Sequence, residues 1–409
     1  MSSHAVRRAQ IKGLSIVNAV STAGDVLLAF FWNAILIVNR PSLGLIVLGV
    51  STAVGIVVGI SFSRVVVRTR PTVLYAIASA FRMVCIGALA VYLGFVGNVG
   101  SVLVAAGAVQ VIDTIANGLT AGTINNLIAE LGTEGEFPQL VAFNQTVSRG
   151  GVLLAWLASG VAAATWGSST LLYVDAVSFV PLIIWLARLS RQDVTKASSA
   201  TDSSRASGVR QWDLVVPVGV LILFSALISR TTPVLWQSLF GRSSPMIYGL
   251  LFAVFTGGYM LASIAATLRP VSSLVARVAA DARMVYGAFA VSALLSATLI
   301  VWRGGIGSVL FACNLGLLGL LSGFGMLPLL TRVRRLVNPE NQRRVFYVLG
   351  MVSRLGEPVG SALAGVVMGV TSASGLYLVS AAGGVLGSLL GLGGGRSSDL
   401  RAGNAANRG

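Results

Sequence analysis

Seven ionisable side chains stand deep inside long apolar stretches of this 409-residue sequence: Asp25, Arg82, Asp113, Arg149, Arg230, Arg354 and Glu357. A charge in hydrocarbon is expensive, so such residues pair with one another, line a wet cavity, or carry protons and charged cargo. Asn18, Ser21, Asp25 and Trp32 recur at helical spacing and share one face of their helix. Gln110, Asp113 and Asn117 do the same further along. Polar stripes of this kind suit helices with lipid on one side and an aqueous cavity on the other. The competing reading is that these groups satisfy one another between helices and touch no cargo. Arg82 and Asp113 fall at similar depths on successive apolar stretches, which favours an ion pair. Arg354 and Glu357 are three residues apart and can pair on one helical turn, against a role for Glu357 in proton exchange. Asp175 sits nearer the end of its stretch and is expected to be wetted.

Other chemistries lack their residues. The only histidine is His4, in the N-terminal tail, so no imidazole can serve as an internal base or metal ligand. A phosphate-binding loop needs Gly-Lys-Ser/Thr, but Lys12 follows Ile11 up to Gly13 and Lys196 follows Thr195, so ATP is not the expected fuel. No His, Cys or carboxylate cluster has metal-ligand spacing. Cys85 and Cys313 lie in apolar runs and read as packing residues. No cofactor, no metal and no enzymatic reaction is expected. The driving force must come from an ion gradient or from the substrate's own gradient.

The elements that carry these residues follow from composition. The chain is 55% apolar and only 10% charged, whereas soluble domains carry about 25% charged residues. Lipid must therefore be the solvent for much of its surface. A membrane-crossing helix needs about 20 mostly apolar residues. That window gives an all-α integral membrane protein of twelve transmembrane helices, near 11–38, 42–63, 72–95, 99–128, 139–165, 169–189, 213–238, 246–267, 281–302, 305–330, 345–370 and 374–394. The first stretch reads as a retained span and not a signal peptide, because it is long and holds Asp25. The net charge of +16 is placed in short segments between apolar runs, which marks membrane topology and not nucleic-acid binding. With both termini cytoplasmic, the inner segments hold 22 Lys and Arg against Arg40, Arg242 and Arg303 outside. Residues 1–189 then form one six-helix bundle, 190–212 a cytoplasmic linker, 213–394 a second bundle and 395–409 a disordered cytoplasmic tail.

The two halves repeat. A shift of 205 residues aligns Val147–Ala176 with Val352–Ala381, with ten identities that include Ser148 and Ser353, Arg149 and Arg354, and Gly151 and Gly356. The same shift pairs Arg64 with Arg269 and sets Asp25 opposite Arg230. Gly55-x3-Gly59 and Gly356-x3-Gly360 are small-residue spacings that let helices approach closely. Two parallel six-helix repeats about a central linker are the architecture of the major facilitator transporters.

The motifs agree with that architecture. Ser21-Thr22-Ala23-Gly24-Asp25 resembles the S-x-x-G-D of the first span in the branch of enterobactin exporters and macrolide-efflux pumps. Ala142-Phe143-Asn144-Gln145, followed by Arg149 and Gly151, resembles that branch's entry to the fifth span. Asn338-Pro339-Glu340 to Arg344-Val345 is similar to its loop before the eleventh span. Gly356-Glu357-Pro358-Val359-Gly360-Ser361 resembles the start of its G-x-P-x-G-S-x-L-A-G. The sequence departs from the pattern after the second span, where Gly59 to Arg64 carries Ser63 in place of the gating aspartate. Arg343 likewise replaces a glycine.

The resemblance implies a secondary transporter of the major facilitator superfamily, a multi-pass protein of the bacterial cytoplasmic membrane, working by alternating access and functional as a monomer. Its implied activity is proton-coupled export of an amphipathic small molecule such as a drug, siderophore or secondary metabolite. A carboxylate would carry the proton, since desolvation favours the neutral acid. The second reading is a lysolipid or lipid facilitator, or a solute importer, on the same fold; a non-transporting membrane sensor is the reading from another class. Candidate coupling and cavity residues are Asp25, Arg230, Asp113, Gln110, Asn117, Ser21, Trp32 and Glu357; candidate gating or structural residues are Arg149, Arg354, Arg64, Arg82, Gly59, Gly356 and Pro358. Asp25 and Arg230 are expected to face each other across the cavity as a pair whose making and breaking tracks protonation or substrate binding.

Overall fold

The computed structural model describes residues 3–61, 69–95, 99–131, 137–191, 231–237, 240–241, 244–267, 305–336 and 359–367, with a few single positions besides. Arg64, Arg230, Arg354, Gly356, Glu357 and Pro358 lie outside the described residues, as do the tail and the linker from residue 192 on; residues 190–191, expected in the linker, still belong to a helix.

The described secondary structure is helical throughout. The helices are α1 (Ser3–Phe30), α2 (Pro41–Ser61), α3 (Pro71–Phe95), α4 (Val99–Leu131), α5 (Phe137–Trp166), α6 (Ser168–Arg191), α7 (Pro245–Thr267) and α8 (Gly305–Leu336). Eight of the described helical stretches are long and apolar enough to cross a bilayer. Proline opens α2, α3 and α7. Its fixed φ suits the first helical turn, and its missing N–H is no loss where that donor has no partner. α1 runs on into a π-helical segment, Phe31–Ile37. The turn to α2 is short, with the Arg40 amide donating to the Leu36 carbonyl at 3.0 Å and the Gly44 amide to the Arg40 carbonyl at 2.7 Å.

Outward faces are apolar, as a lipid solvent requires. Val57 (65% exposed), Val104 (73%) and Val177 (66%) are examples on three different helices. The inward faces join a common core that includes Phe30, Phe31, Trp32, Trp156, Phe179, Trp236, Phe252 and Phe311.

α1 is the central helix of the first group and packs on both α5 and α6. α3 packs on α6 and α4, and α4 also packs on α2. Small residues set these approaches. A Cβ at Gly55 of α2 would fall 2.6 Å from the Thr114 Cβ of α4, and one at Gly151 of α5 would fall 3.0 Å from the Ala19 carbonyl oxygen of α1. α7 joins the groups by packing on α5 and on α8. The four helices whose spans carry Asp25, Arg82, Asp113 and Asp175 are thereby neighbours around one point.

Candidate functional site

That point is the guanidinium of Arg82, which is 3% exposed and lies near mid-length of α3. Its Nε donates to Asp113 Oδ1 at 2.8 Å. Its Nη2 donates to the same oxygen at 2.5 Å and to Asp25 Oδ1 at 2.6 Å. One arginine therefore ties α3 to α1 and α4 at once, which the planar donor fork of arginine permits and a lysine's point charge does not. Phe179 of α6 lies against the cation, with its ring centroid 4.6 Å from Arg82 Cζ, so the face of the guanidinium meets a π surface. Asn117, one turn along α4, donates Nδ2 to Asp113 Oδ2 at 2.8 Å. Both oxygens of Asp113 are thus engaged.

The expected pairing of Arg82 with Asp113 is present in the structure. The partner it shows for Asp25 is Arg82; Arg230, expected to face Asp25, lies outside the described residues. Exposure is graded across the cluster. The side chain of Asp25 is 27% exposed, that of Asp113 11%, and that of Arg82 3%. Asp25 is the member that meets the surroundings.

Asp175 corrects the sequence reading. It was expected near a wetted end, but it is fully buried, and neither carboxylate oxygen has a hydrogen-bond partner. α1 covers it. Gly24 has no side chain, and a Cβ there would collide with Ser178 Oγ and stand 2.8 Å from Asp175 Oδ1. Asp175 also lies four residues before Phe179, so both reach the same region from one face of α6. Three carboxylates therefore surround one guanidinium.

Two helical turns back along α1 and α3 lies a neutral layer. Asn18 donates Nδ2 to Ser148 Oγ of α5 at 3.1 Å and accepts from the Tyr75 hydroxyl of α3 at 2.6 Å. Asn18 was read as part of the polar face and Ser148 only as a repeat identity; Tyr75 was not singled out, because a tyrosine at a helix start gives no sequence signal of its partner. The other candidates are more local. Gln110 donates to Thr114 Oγ1 on its own helix at 3.3 Å. Ser21 is buried, and Gly59 is buried at the end of the α2 span. Trp32 is buried in the π segment, and its indole Nε1 has no partner.

A seam between α5 and α7 forms the second feature. Arg149, read as an inner-gate or packing residue, places Cζ 4.0 Å from the ring centroid of Tyr259. Further along, Trp156 stacks on Phe252 at 4.3 Å between centroids. At the far end the backbones touch: a Cβ at Gly249 would stand 2.5 Å from the Trp156 carbonyl oxygen and 3.1 Å from Gly160 Cα. Beside α2, a Cβ at Gly365 in the helical stretch 359–367 would stand 3.4 Å from Leu45 Cβ.

No family model matches the chain, and no curated protein matches it by sequence. Its fold has counterparts among solved structures. A bacterial homologue of the iron transporter ferroportin, in its outward-facing state with soaked iron, superposes with a TM-score of 0.69 at 13% identity, covering 94% of this chain and 99% of the other. The major facilitator superfamily proton:xylose symporter XylE gives 0.69 at 14% identity, covering 94% and 95%. The nucleoside transporter NupG gives 0.62 at 15% identity, covering 97% and 100%. The chain therefore has the fold seen in major facilitator transporters over nearly its whole length.

Proposed function

We propose that this chain is a proton-coupled secondary transporter that exports an amphipathic small molecule by alternating access, with Asp25, Arg82 and Asp113 as its coupling site. The observation that carries the reading is the buried Arg82 held by two carboxylates of unequal exposure. A buried guanidinium needs a counter-charge, because removing one partner of a desolvated pair leaves an uncompensated ion. Asp113 stands against that cation in the drier position, with Asn117 behind it. Asp25 can then release Arg82 when it takes a proton, and re-engage when it loses one. Because α1, α3 and α4 all hang on this cation, a proton at Asp25 changes how α1 is held.

The cargo class follows from the core around it. Phe30, Trp156 and Phe252 form an aromatic surface, and Trp32 Nε1, Trp236 Nε1 and the Tyr248 hydroxyl are buried without partners. A cargo with a flat apolar body and hydrogen-bond acceptors would satisfy both. The reading includes twelve spans with both ends cytoplasmic, in a bacterial cytoplasmic membrane, on the efflux side of the superfamily. Import of a small solute is the second reading, favoured by the fold likeness to a proton:xylose symporter.

The test uses inverted membrane vesicles with an imposed pH gradient, ethidium as a cationic probe and a macrolide as a neutral one. Accumulation that collapses with a protonophore and survives ATP depletion is the expected result. A requirement for ATP, or uptake only in right-side-out cells, would overturn the export reading. Reporter fusions at Ser203 and at the C-terminus should both behave as cytosolic; a periplasmic signal from either would break the twelve-span topology.

A further inference from the structure

We infer that Asp175 holds a proton in this state and that α1 seals it there, making Asp175 a second proton-binding site beside the Asp25–Arg82–Asp113 cluster. The assignment rests on the coupling function proposed above.

Three observations meet at this residue. First, its burial is complete, and both oxygens lack a hydrogen-bond donor. An ionised carboxylate in that position would have no N–H or O–H of the described protein to replace its hydration. Second, the cation beside it is already engaged. Among the described residues, the charged groups acting on Asp175 are Asp25 of α1, Arg82 of α3 and Asp113 of α4. Arg82 is the only cation among them, and its Nε and Nη2 bonds go to Asp113 and Asp25. An ionised Asp175 would be a third negative charge on one guanidinium. Third, a shared metal ion is disfavoured, because among the described residues no group of three or more His, Cys, Asp or Glu is arranged to hold one.

The seal is the close approach of α1 at Gly24. Only a glycine allows it, since a Cβ would collide with Ser178 Oγ and crowd Asp175 Oδ1. Moving α1 away from α6 would let water reach the acid. The O–H bond of the acid then breaks, its electron pair stays on the carboxylate oxygen, and the proton leaves on that water. The resulting carboxylate can take Arg82 from Asp25 as α1 moves off. Asp175 thereby links one position of α1 to one stored proton.

The experiment is infrared spectroscopy of the purified full-length protein in lipid nanodiscs at neutral pH. The wild type should show the carbonyl stretch of a protonated carboxylic acid in a dry site, shifted in heavy water only after long exchange. Asp175→Asn should remove that band, and Asp25→Asn should leave it in place. A wild type with no such band overturns the inference, as does a band that persists in Asp175→Asn. If Asp175→Asn does not fold, Gly24→Ala decides: forcing α1 off α6 should speed the heavy-water shift at least tenfold, and an unchanged rate overturns the seal. A sodium-induced loss of the wild-type band would mark a bound cation and also overturn it. None of these readouts needs a cargo. A protein that moves neither ethidium nor the macrolide would sink the transport reading while leaving the infrared result to stand or fall alone.

Discussion

α1 to α6 and the pair α7 with α8 are built from the same apolar alphabet, yet they treat charge in opposite ways. The first group gathers Asp25, Arg82, Asp113 and Asp175 around one point. α7 contains no Asp, Glu, Lys or Arg along its whole length, and α8 carries its arginines only near its end. Where α7 meets α5 the contact is made by glycine backbones, stacked rings and one cation–π pair. The contrast separates two tasks. A charged cluster holds its helices through directional bonds and, in the function proposed above, takes up protons. A seam of glycine backbone, stacked rings and one cation–π contact has few directional polar bonds to break and can part and re-form with little change in polar bonding.

The largest test of this division is Arg82→Ala. It leaves Asp113 buried without its cation, and breaking a buried pair costs about 3–5 kcal/mol. Thermal unfolding in detergent should show a severe loss of stability; a near-normal melting temperature would mean that the cluster does not hold the first group together. Gly249→Val comes next. Overpacking at a tight contact typically costs about 1–3 kcal/mol, and here the new side chain would push α7 off Trp156 and Gly160. Cysteines introduced on the two sides of the seam should cross-link more slowly in this variant. An unchanged cross-linking rate would show that the glycine contact does not close the seam.

Asp25→Asn should cost less stability than Arg82→Ala, because Arg82 keeps Asp113 and Asp25 is already partly exposed. Its effect should fall on function: pH-driven accumulation of the probe should drop at least tenfold with the fold intact. Normal accumulation between pH 6 and 8 would move the coupling role to another carboxylate. The smallest effect belongs to Arg149→Gln, which removes the cation over Tyr259. A partly exposed cation–π contact is worth about 0.5–1 kcal/mol, so a loss well above this would place Arg149 in the charged machinery and blur the division.

Much of the first group was legible in the sequence because depth and face can be counted. Asp25 on a polar stripe and Arg82 level with Asp113 needed only helical spacing and span boundaries. Asp175 was misplaced because a count along one span gives depth but not what covers a side chain. The signal was present in its neighbours. Leu171, Leu172, Phe179, Leu182 and Leu186 form the buried stripe of α6, and Asp175 falls within it, while Val177, Val180 and Ile184 face outward. An aspartate inside the apolar stripe of a span is a buried acid, wherever it stands along the length. The Arg149 contact with Tyr259 could not be read, because it joins helices more than a hundred residues apart and neither residue carries a mark of the other. Arg82 as a partner of Asp25 was not read from the sequence, because the repeat pointed to Arg230, which lies outside the described residues.

The π-helical segment that follows α1 has a mechanical consequence. Phe30, Phe31, Trp32, Asn33 and Ala34 are buried in unbroken succession, so this stretch is enclosed on every side, whereas an amphipathic helix buries only one face. A rod gripped all round cannot slide lengthwise, and the wider i→i+5 winding adds bulk at that level. In the alternating-access cycle proposed above, displacement should be least here and should grow with distance towards the start of α1. Residues 31–37 would then act as a fulcrum, and the part of α1 that carries Asp25 and Gly24 would be the short arm of the lever, moving by small and reproducible amounts.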